Sequence, residues 1–480
     1  MVLGVEQVRT VIDPAAVLEI ENDPQLQPFR EPLTGVPVWL MVRNYFVRCI
    51  IEGLMYTGEA YRRYEPAYRS VDLLGAAAAS LLHNLRVRPQ PAPVLVLGSG
   101  AGVTDRAGER FDRLTSYYTR ALGDFGWSEL GIHAFNRRNA IREPRTTLNA
   151  HRRLIDHTRA RLAVRATHEQ LAAGVLDCAV AASRCKLDWA PDAAVVARIR
   201  RRLAIELAGA PQTLVRVDQM QREHRPRVLV ADQSSYGTKA IFNAACRDRG
   251  IEVVEYQHGV ITRAHEAYNL GQAWLELPGI ERVLPSALLL YGPWWGSQIN
   301  LPVRKVVIGN PHREASFETG QRPTHGDGEI LVLGDGIDTA FYENFCAELA
   351  RALPEHRIVF RPHPVERMGA SERHERVGPA YRIDLSSDIY AAFGASSWVV
   401  SEVSTGLFEA SGTEAKPVVI STEKSRFYLA DAPFQRVANP AELALLVRGG
   451  SAATSAVREE DFWAPNWRSR FDEFIRPYLT

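Results

Sequence analysis

Short apolar runs recur along the chain, and each is followed by glycine or small polar residues and then by a helical stretch. Buried parallel strands that feed helices show this pattern, which is typical of a doubly wound α/β fold. One set of predicted strands covers residues 94–97, 228–231, 252–256, 287–291 and 306–308. A second set covers residues 330–333, 357–360, 398–401 and 418–421.

A polar segment, residues 312–328, separates the two sets of strands. It contains glycine and lacks apolar periodicity, as linkers do. Since 480 residues exceed one compact core, we predict two domains, residues 1–315 and residues 316–480. Each is expected to be Rossmann-like, and the two are expected to face each other across a cleft. The stretch between residues 97 and 228 is rich in alanine and arginine and is predicted to be helical.

Charge and cysteine content bear on partners and location. The net charge is +1, so no strong global field attracts nucleic acid or anionic lipid, and an anion site has to be local. The cysteines form no C-x-x-C pair, and the N-terminus lacks a basic start followed by a long apolar core. We therefore expect a cytoplasmic protein without a disulfide framework.

Residues 36–55 are strongly apolar but are interrupted by Arg43, Arg48 and Glu52. Three charges within this length disfavour a membrane span, so a buried core helix is predicted, with a membrane-surface helix as the alternative. No metal and no cofactor is expected, because the nearest approach to a D-x-D motif, residues 327–329, precedes a strand.

Ligands of doubly wound sheets bind at the carboxyl ends of the strands, so the residues that follow each strand are the functional candidates. The sequence GSGAG at residues 98–102 lacks the G-x-G-x-x-G spacing, and a ligand loop and a plain tight turn both remain open. His258 follows another strand and precedes glycine. Its imidazole is a candidate general base, the alternative being a histidine that only hydrogen-bonds its loop.

The predicted strand at residues 357–360 ends in Arg361-Pro362-His363-Pro364. The prolines fix the direction of the loop, and arginine with histidine suits a diphosphate, if alternation places both side chains on one side. The alternative is a proline-rich turn with surface side chains. Gly334 follows the strand at residues 330–333 and would let a donor approach the backbone closely.

The predicted strand at residues 398–401 leads into Ser404 and Thr405, either of which is a good N-cap for a following helix. The backbone N–H groups at such a helix start bind anions. Glu409 lies one turn further along and could accept hydrogen bonds from ribose hydroxyls. The alternative is a capped helix without ligand and a solvated glutamate.

Together, QHG at residues 257–259, RPHP at residues 361–364 and STGLFEASGTEAKPVVI at residues 404–420 resemble motifs of bacterial GT-B transferases. The pattern is most similar to capsule, sialyl- and Kdo-transferases, polysialyltransferases and CDP-glycerol glycerophosphotransferases. The resemblance covers about residues 220–445. It implies a GT-B fold and a nucleotide-linked donor, with CMP favoured.

The resemblance also implies roles for individual residues. His363 corresponds to the histidine that contacts the donor phosphate, Ser404 and Thr405 to phosphate-binding hydroxyls, and Glu409 to the glutamate that faces the ribose. His258 corresponds to a histidine proposed as catalytic base. The paired acidic motif of the polysialyltransferases is absent.

In place of that acidic motif the chain has Asp232 without an acidic neighbour. The base therefore stays open between His258 and Asp232.

The function implied is metal-independent, inverting transfer of a sugar from a nucleotide-sugar to a glycan or other hydroxyl acceptor, in cell-surface polysaccharide or glycoconjugate biosynthesis. The alternatives are a non-hydrolysing nucleotide-sugar epimerase, which would need more acidic residues in the cleft, and an inactive GT-B scaffold. For residues 461–480 two interpretations stay open. They form a helix that packs back on the first domain, or their aromatic side chains touch the inner face of the membrane as a peripheral contact.

Overall fold

The computed structural model describes residues 13–55, 70–100, 102–106, 109–131, 145–318, 328–364, 366–367, 380–386, 388–450 and 458–479. The strands are β1 Val94–Gly98, β2 Val103–Arg106, β3 Glu109–Asp112, β4 Gly126–Leu130, β5 Thr146–Leu148, β6 Val228–Ala231, β7 Glu252–Tyr256, β8 Ala287–Leu290, β9 Arg304–Val307, β10 Glu329–Leu333, β11 Ile358–Arg361, β12 Arg382–Ile383, β13 Ser396–Ser401, β14 Lys416–Ile420 and β15 Gln435–Val437.

The helices of the first domain are α1 Pro14–Leu18, α2 Val38–Met55, α3 Ser70–Arg86, α4 Ser116–Leu122, α5 Ala150–Leu162, α6 Ala166–Leu187, α7 Ala193–Ala208, α8 Ala210–His224, α9 Ala240–Arg247, α10 Gln272–Leu275, α11 Pro293–Ser297 and α12 Pro311–Glu318. The helices that follow are α13 Thr339–Ala352, α14 Ile389–Gly394, α15 Thr405–Glu409, α16 Glu423–Tyr428, α17 Pro440–Gly449, α18 Glu459–Phe462 and α19 Trp467–Leu479.

The strands form two parallel sheets and one hairpin. The first sheet has the order β5-β4-β1-β6-β7-β8-β9, the second has the order β12-β11-β10-β13-β14-β15, and β2 pairs with β3. In each sheet the first strand lies centrally, and the chain winds to one side and then to the other, as in a Rossmann fold. This topology confirms the prediction of two Rossmann-like domains in a GT-B arrangement.

Both faces of the first sheet are covered, which explains why its strands are almost continuously apolar. Val94 and Val228 pack on one face against Phe471 of the last helix. Leu95 packs on the other face with Val217 of α8. Adjacent residues of one strand thus belong to different clusters, as the alternation of side chains along a strand requires.

Two predictions about the chain between the strands are wrong in part. The stretch predicted to be helical contains helices α5 to α8, but it also contains β4 and β5, which extend the first sheet to its edge. The predicted linker at residues 312–328 begins inside α12, so the boundary set between residues 315 and 316 falls within a helix. Asn310 starts α12 by accepting hydrogen bonds from the backbone N–H groups of His312 and Arg313.

The apolar segment at residues 36–55 forms α2, and the prediction of a buried core helix is confirmed. Its Arg43 is buried and pairs with Glu21, with 2.5 Å between Nε and Oε1. Within the described residues, no helix combines the length and the apolar character that crossing a bilayer requires.

The C-terminal segment holds the two domains together. The indole of Trp463 donates a hydrogen bond of 2.8 Å to the carbonyl of Phe408 in the second domain. The carbonyl of Phe462 accepts a bond of 2.8 Å from the indole of Trp295 in the first domain. The following helix, α19, then packs Phe471 on the first sheet. Its aromatic face is therefore occupied by protein.

Candidate functional site

Each sheet has a topological switch point, where the winding changes direction and a crevice opens at the strand ends. In the first sheet this point lies between β1 and β6, and in the second it lies between β10 and β13. The candidate residues from the sequence lie at or beside these two points.

The crevice between β1 and β6 is built around Asp232. The backbone N–H of Ser99, in the glycine-rich loop after β1, donates a hydrogen bond of 2.9 Å to Oδ2 of Asp232. Lys239 lies 3.3 Å from Oδ1 of the same carboxylate. Burial alone would raise the pKa of Asp232, but the charge of Lys239 and the bond from Ser99 outweigh it and leave this pKa below its usual value. Asp232 is therefore ionised at neutral pH.

A second acidic residue, Asp112, stands beside this crevice at the end of the β2–β3 hairpin. It is buried and accepts hydrogen bonds from the backbone N–H groups of Leu114 and Thr115, at 2.8 and 3.2 Å. Burial, together with the nearby charge of Asp232, raises the pKa of Asp112 to about 6 despite these bonds. Sequence reasoning missed this carboxyl group.

His258 follows β7, the neighbour of β6. Its Nδ1 is buried and has no hydrogen-bond partner among the described residues. The ring of Tyr236 lies 5.9 Å away between centroids. Burial lowers the pKa of His258 to about 4, although Asp232 acts in the opposite direction. The imidazole is thus neutral and has a free nitrogen, which a base that takes up a proton requires.

The crevice of the second sheet is narrow around His363. A methyl group at Gly334 would lie 2.7 Å from Oε2 of Glu366, and one at Gly336 would lie 2.9 Å from Nδ1 of His363. Gly336 also has a φ of +86°, which favours glycine. The two glycines after β10 therefore make room for the loop that carries His363. Sequence reasoning named Gly334 as a donor contact but missed Gly336.

His363 is half-buried, and its backbone N–H donates a hydrogen bond of 2.8 Å to Glu366. Burial, together with the charges of Arg367 and Arg113, lowers the pKa of His363 to about 4. A negatively charged ligand here would reverse these effects, because it would both compensate the arginines and stabilise an imidazolium.

Arg361 is held within its own sheet. Its guanidinium pairs with Asp384 and donates bonds of 2.9 Å to the hydroxyl and to the carbonyl of Ser386. The structure therefore engages Arg361 with the loop after β12, and a donor phosphate would have to share it with Asp384.

Ser404 precedes α15, and Thr405 and Glu409 are the first and last residues of this helix. Ser404 caps the helix by accepting a hydrogen bond of 3.1 Å from the N–H of Gly406. The helix has only five residues, so its dipole is small, and a phosphate would rely on single N–H groups and on side chains.

Glu409 is only 5% exposed, and no described residue forms a hydrogen bond or ion pair with it. Burial raises its pKa, and the charges of Arg113 and Arg313 counteract this in part. A buried carboxylate without a partner costs stability unless something else satisfies it. This is the strongest indication of a ligand hydroxyl group in the second domain.

The two groups of candidates meet across the cleft. A methyl group at Gly259, the residue after His258, would lie 3.8 Å from the hydroxyl oxygen of Thr405. The loop that carries His258 thereby lies beside Thr405 at the start of α15.

Arg113 is a further residue of the cleft that sequence reasoning missed. It is exposed, and no described residue forms a hydrogen bond or ion pair with its guanidinium. Burial is the main cause of the pKa shifts of His258, His363 and Glu409, but the charge of Arg113 lowers the pKa of all three. Arg113 is therefore a cation near both histidines.

Across the part of the chain that the structure describes, no three histidine, cysteine, aspartate or glutamate side chains are grouped so that they could hold an ion.

No protein-family model matches the chain, and no curated protein matches it in sequence. Solved structures with a similar fold include the UDP-GlcNAc 2-epimerase of Methanocaldococcus jannaschii in complex with UDP-GlcNAc and UDP. It is 11% identical, with a TM-score of 0.44 over 80% of this chain and 99% of that chain. The UDP-N-acetylglucosamine 2-epimerase of Rickettsia bellii is 12% identical, with a TM-score of 0.45 over 81% and 97%.

MurG of Acinetobacter baumannii is 13% identical, with a TM-score of 0.43 over 81% of this chain and 100% of that chain. At this level of identity and superposition the likeness assigns no activity to the chain.

Proposed function

We propose that the chain is a nucleotide-sugar-dependent transferase that moves a sugar to a hydroxyl acceptor by a single displacement with inversion. The observation that carries this proposal is that one cation, Arg113, acts on a neutral histidine of each domain. His258 and His363 both have a pKa of about 4, and Arg113 acts on both.

The donor is assigned to the second domain. The buried carboxylate of Glu409 would accept hydrogen bonds from the ribose, since it has no other described partner. The diphosphate or phosphate would lie between His363, Thr405 and Arg113, where charge that develops on the leaving group meets positive groups and hydrogen-bond donors. The choice of CMP over other nucleotides rests on the resemblance of the motifs alone.

The acceptor is assigned to the first domain. A base there has to remove the hydroxyl proton as the new bond forms. His258 has a free nitrogen, and Asp232 is ionised but already accepts from Ser99 and pairs with Lys239. We therefore favour His258 as the base, with Asp232 stabilising the imidazolium that results.

The test is titration calorimetry of the purified chain with CMP-, UDP-, GDP- and dTDP-sugars, followed by a transfer assay with a panel of hydroxyl acceptors. We expect one nucleotide class to bind and Glu409→Gln to weaken it. The proposal is wrong if none of the four binds.

Epimerisation of a nucleotide-sugar is the second candidate, and one observation favours it. The sequence predicts few acidic residues at the strand ends of the first domain, but Asp232 follows β6, Glu255 lies near the end of β7 and Asp112 ends the hairpin, and all three are buried. Carboxyl groups with different pKa values are suited to removing and returning a proton.

NMR of a bound UDP-sugar incubated without acceptor separates the two functions. An epimer that accumulates in the absence of acceptor supports epimerisation. Product that forms only when acceptor is present supports transfer.

A further inference from the structure

Helix α3, Ser70–Arg86, has its polar and apolar sides reversed relative to an ordinary surface helix. Its polar side chains face the protein. Ser80 donates a hydrogen bond of 2.7 Å to the carbonyl of Leu148, and Asn84 donates one of 2.8 Å to the same oxygen. His83 lies 2.8 Å from the carbonyl of Thr146. The polar side chains of α3 therefore form hydrogen bonds with the carbonyl groups of β5, the edge strand of the first sheet.

The opposite side of α3 is apolar and open. Leu74, Leu82 and Leu85 are 62%, 58% and 73% exposed, and no described residue covers them. Leu73 and Leu81 extend the same face. Isolated exposed leucines are common, but several on one helix form a continuous patch that monomeric soluble proteins rarely expose.

The surroundings of this patch are basic. Helix α5 packs beside α3, and its exposed apolar residues Ile155 and Leu162 add to the patch. Residues 70–88 and 150–162 together contain six arginines and two aspartates. The chain as a whole carries a net charge of only +1, so this concentration is local.

We propose that the leucine face of α3, with the arginines of α3 and α5, binds an anionic lipid surface. Leucines that enter the interface between headgroups and acyl chains, flanked by arginines that attract anionic headgroups, are the features of a helix that lies on a membrane. A second copy of the chain would fit less well, because a symmetric contact would bring the two sets of arginines together.

This surface lies at the edge of the first sheet, because α3 packs along β5 through Ser80, His83 and Asn84. Its binding to lipid does not depend on the proposed activity.

The experiment is co-sedimentation of the full chain with vesicles of phosphatidylcholine alone and of phosphatidylcholine with phosphatidylglycerol. We expect binding to the anionic vesicles and a decrease as salt is raised. The triple variant Leu81→Gln, Leu82→Gln, Leu85→Gln should lower the partition coefficient at least about tenfold, because each leucine removes apolar area from water. Its thermal unfolding should be unchanged, since the replaced side chains are exposed.

The matched control replaces three exposed apolar residues elsewhere, Leu33→Gln, Val215→Gln and Leu445→Gln, which are 63%, 61% and 69% exposed. It should bind as the parent does. Equal loss in both triple variants would overturn the proposal, as would no binding to anionic vesicles. A dimer that the α3 variant converts to a monomer, without vesicle binding by the parent, would assign the face to a second copy instead.

Discussion

The carboxylate of Glu409 is buried in α15 without a described partner. It should therefore strengthen ligand binding and lower the stability of the free protein. We predict that Glu409→Gln weakens donor binding about 10- to 100-fold, the usual effect of losing hydrogen bonds to a charged group. The same change should stabilise the free protein by about 1 kcal/mol at pH 8, because an amide costs less to bury than a carboxylate.

The stability difference should depend on pH in a defined direction. The folded-state pKa of Glu409 is raised by burial, so the folded protein retains a proton that the unfolded chain has already lost. The stability that Glu409 contributes is fully present below its pKa in the unfolded chain. It is lost as pH rises through its pKa in the folded protein. Thermal unfolding of both proteins at pH 4 and pH 8 measures this, and a parent that is more stable than Glu409→Gln at pH 8 would contradict it.

The two histidines should separate into different roles. His363→Ala is expected to lower turnover about 10²–10³-fold, the typical loss when one contact to developing charge is removed, and to weaken donor binding less. His258→Ala should abolish transfer and leave donor affinity nearly intact. Steady-state kinetics and calorimetry on both variants provide the comparison, with the exposed His157→Ala as control. Near-normal turnover of His363→Ala would contradict the assignment of His363 as a contact of the donor phosphate.

Arg113 reaches the cleft from the first domain, although the donor is assigned to the second. We expect Arg113→Gln to reduce kcat/KM about 10- to 100-fold, as loss of a charge-assisted contact does. The control is Arg120→Gln, which replaces an exposed arginine of α4. If both variants had equal kinetics, Arg113 would have no part in the site.

At the scale of the elements, α2 depends on one buried ion pair. Glu21 accepts hydrogen bonds from Arg43, from the indole of Trp39 at 3.2 Å and from the N–H of Gly271 at 2.8 Å. Removing one partner leaves the other charge buried and uncompensated. We therefore predict that Arg43→Met destabilises the protein by about 3–5 kcal/mol in urea unfolding. The double variant with Glu21→Gln should be less destabilised than the single one, and a larger loss would show that the pair is not the cause.

The elements that sequence reasoning missed are those whose partners come from distant parts of the chain. Strands β4 and β5 contain Glu129 and Thr147, polar residues that hide the apolar pattern. In the structure Glu129 is buried and pairs with Arg216 of α8, a contact that no local pattern reveals. Helix α12 is different, because Asn310 and Pro311 are a recognisable helix start that its polar sequence obscured.

At the scale of the molecule, the sequence predicted both sheets because buried parallel strands appear in it as short apolar runs. It also predicted that the candidate residues lie in the loops that follow these strands. It could not predict which loops would approach each other. The contact of Gly259 with Thr405 depends on the orientation of the domains, and the pairing of Arg361 with Asp384 depends on the two-residue strand β12. Arg113 enters through a hairpin inserted after β1.

Binding of an anion in the cleft should change the number of protons that the protein binds. In the free protein burial is the main reason that the pKa values of His258 and His363 lie at about 4 instead of 6.5. A bound diphosphate beside His363 favours the charged imidazolium and raises the pKa of His363, whereas His258 lies on the acceptor side and stays neutral. Between the free and the bound pKa, binding therefore takes up protons, and the affinity for a nucleoside diphosphate should rise as pH falls from 8 toward 5.

Calorimetry at pH 6 and pH 8, in two buffers with different ionisation enthalpies, counts these protons. We predict an uptake of up to about one proton, at His363, at pH 6 and a smaller one at pH 8. His363→Ala should lose this uptake, whereas His157→Ala should keep it.

The lowered pKa values of both histidines make the free protein less stable as pH falls from 6.5 toward 4, because the unfolded chain then binds protons that the folded one excludes. The ligand-induced rise in the thermal midpoint should accordingly be larger at pH 6 than at pH 8. Equal binding heats in both buffers at pH 6 would mean that His363 does not face the anion, and the donor would then have to bind elsewhere in the cleft.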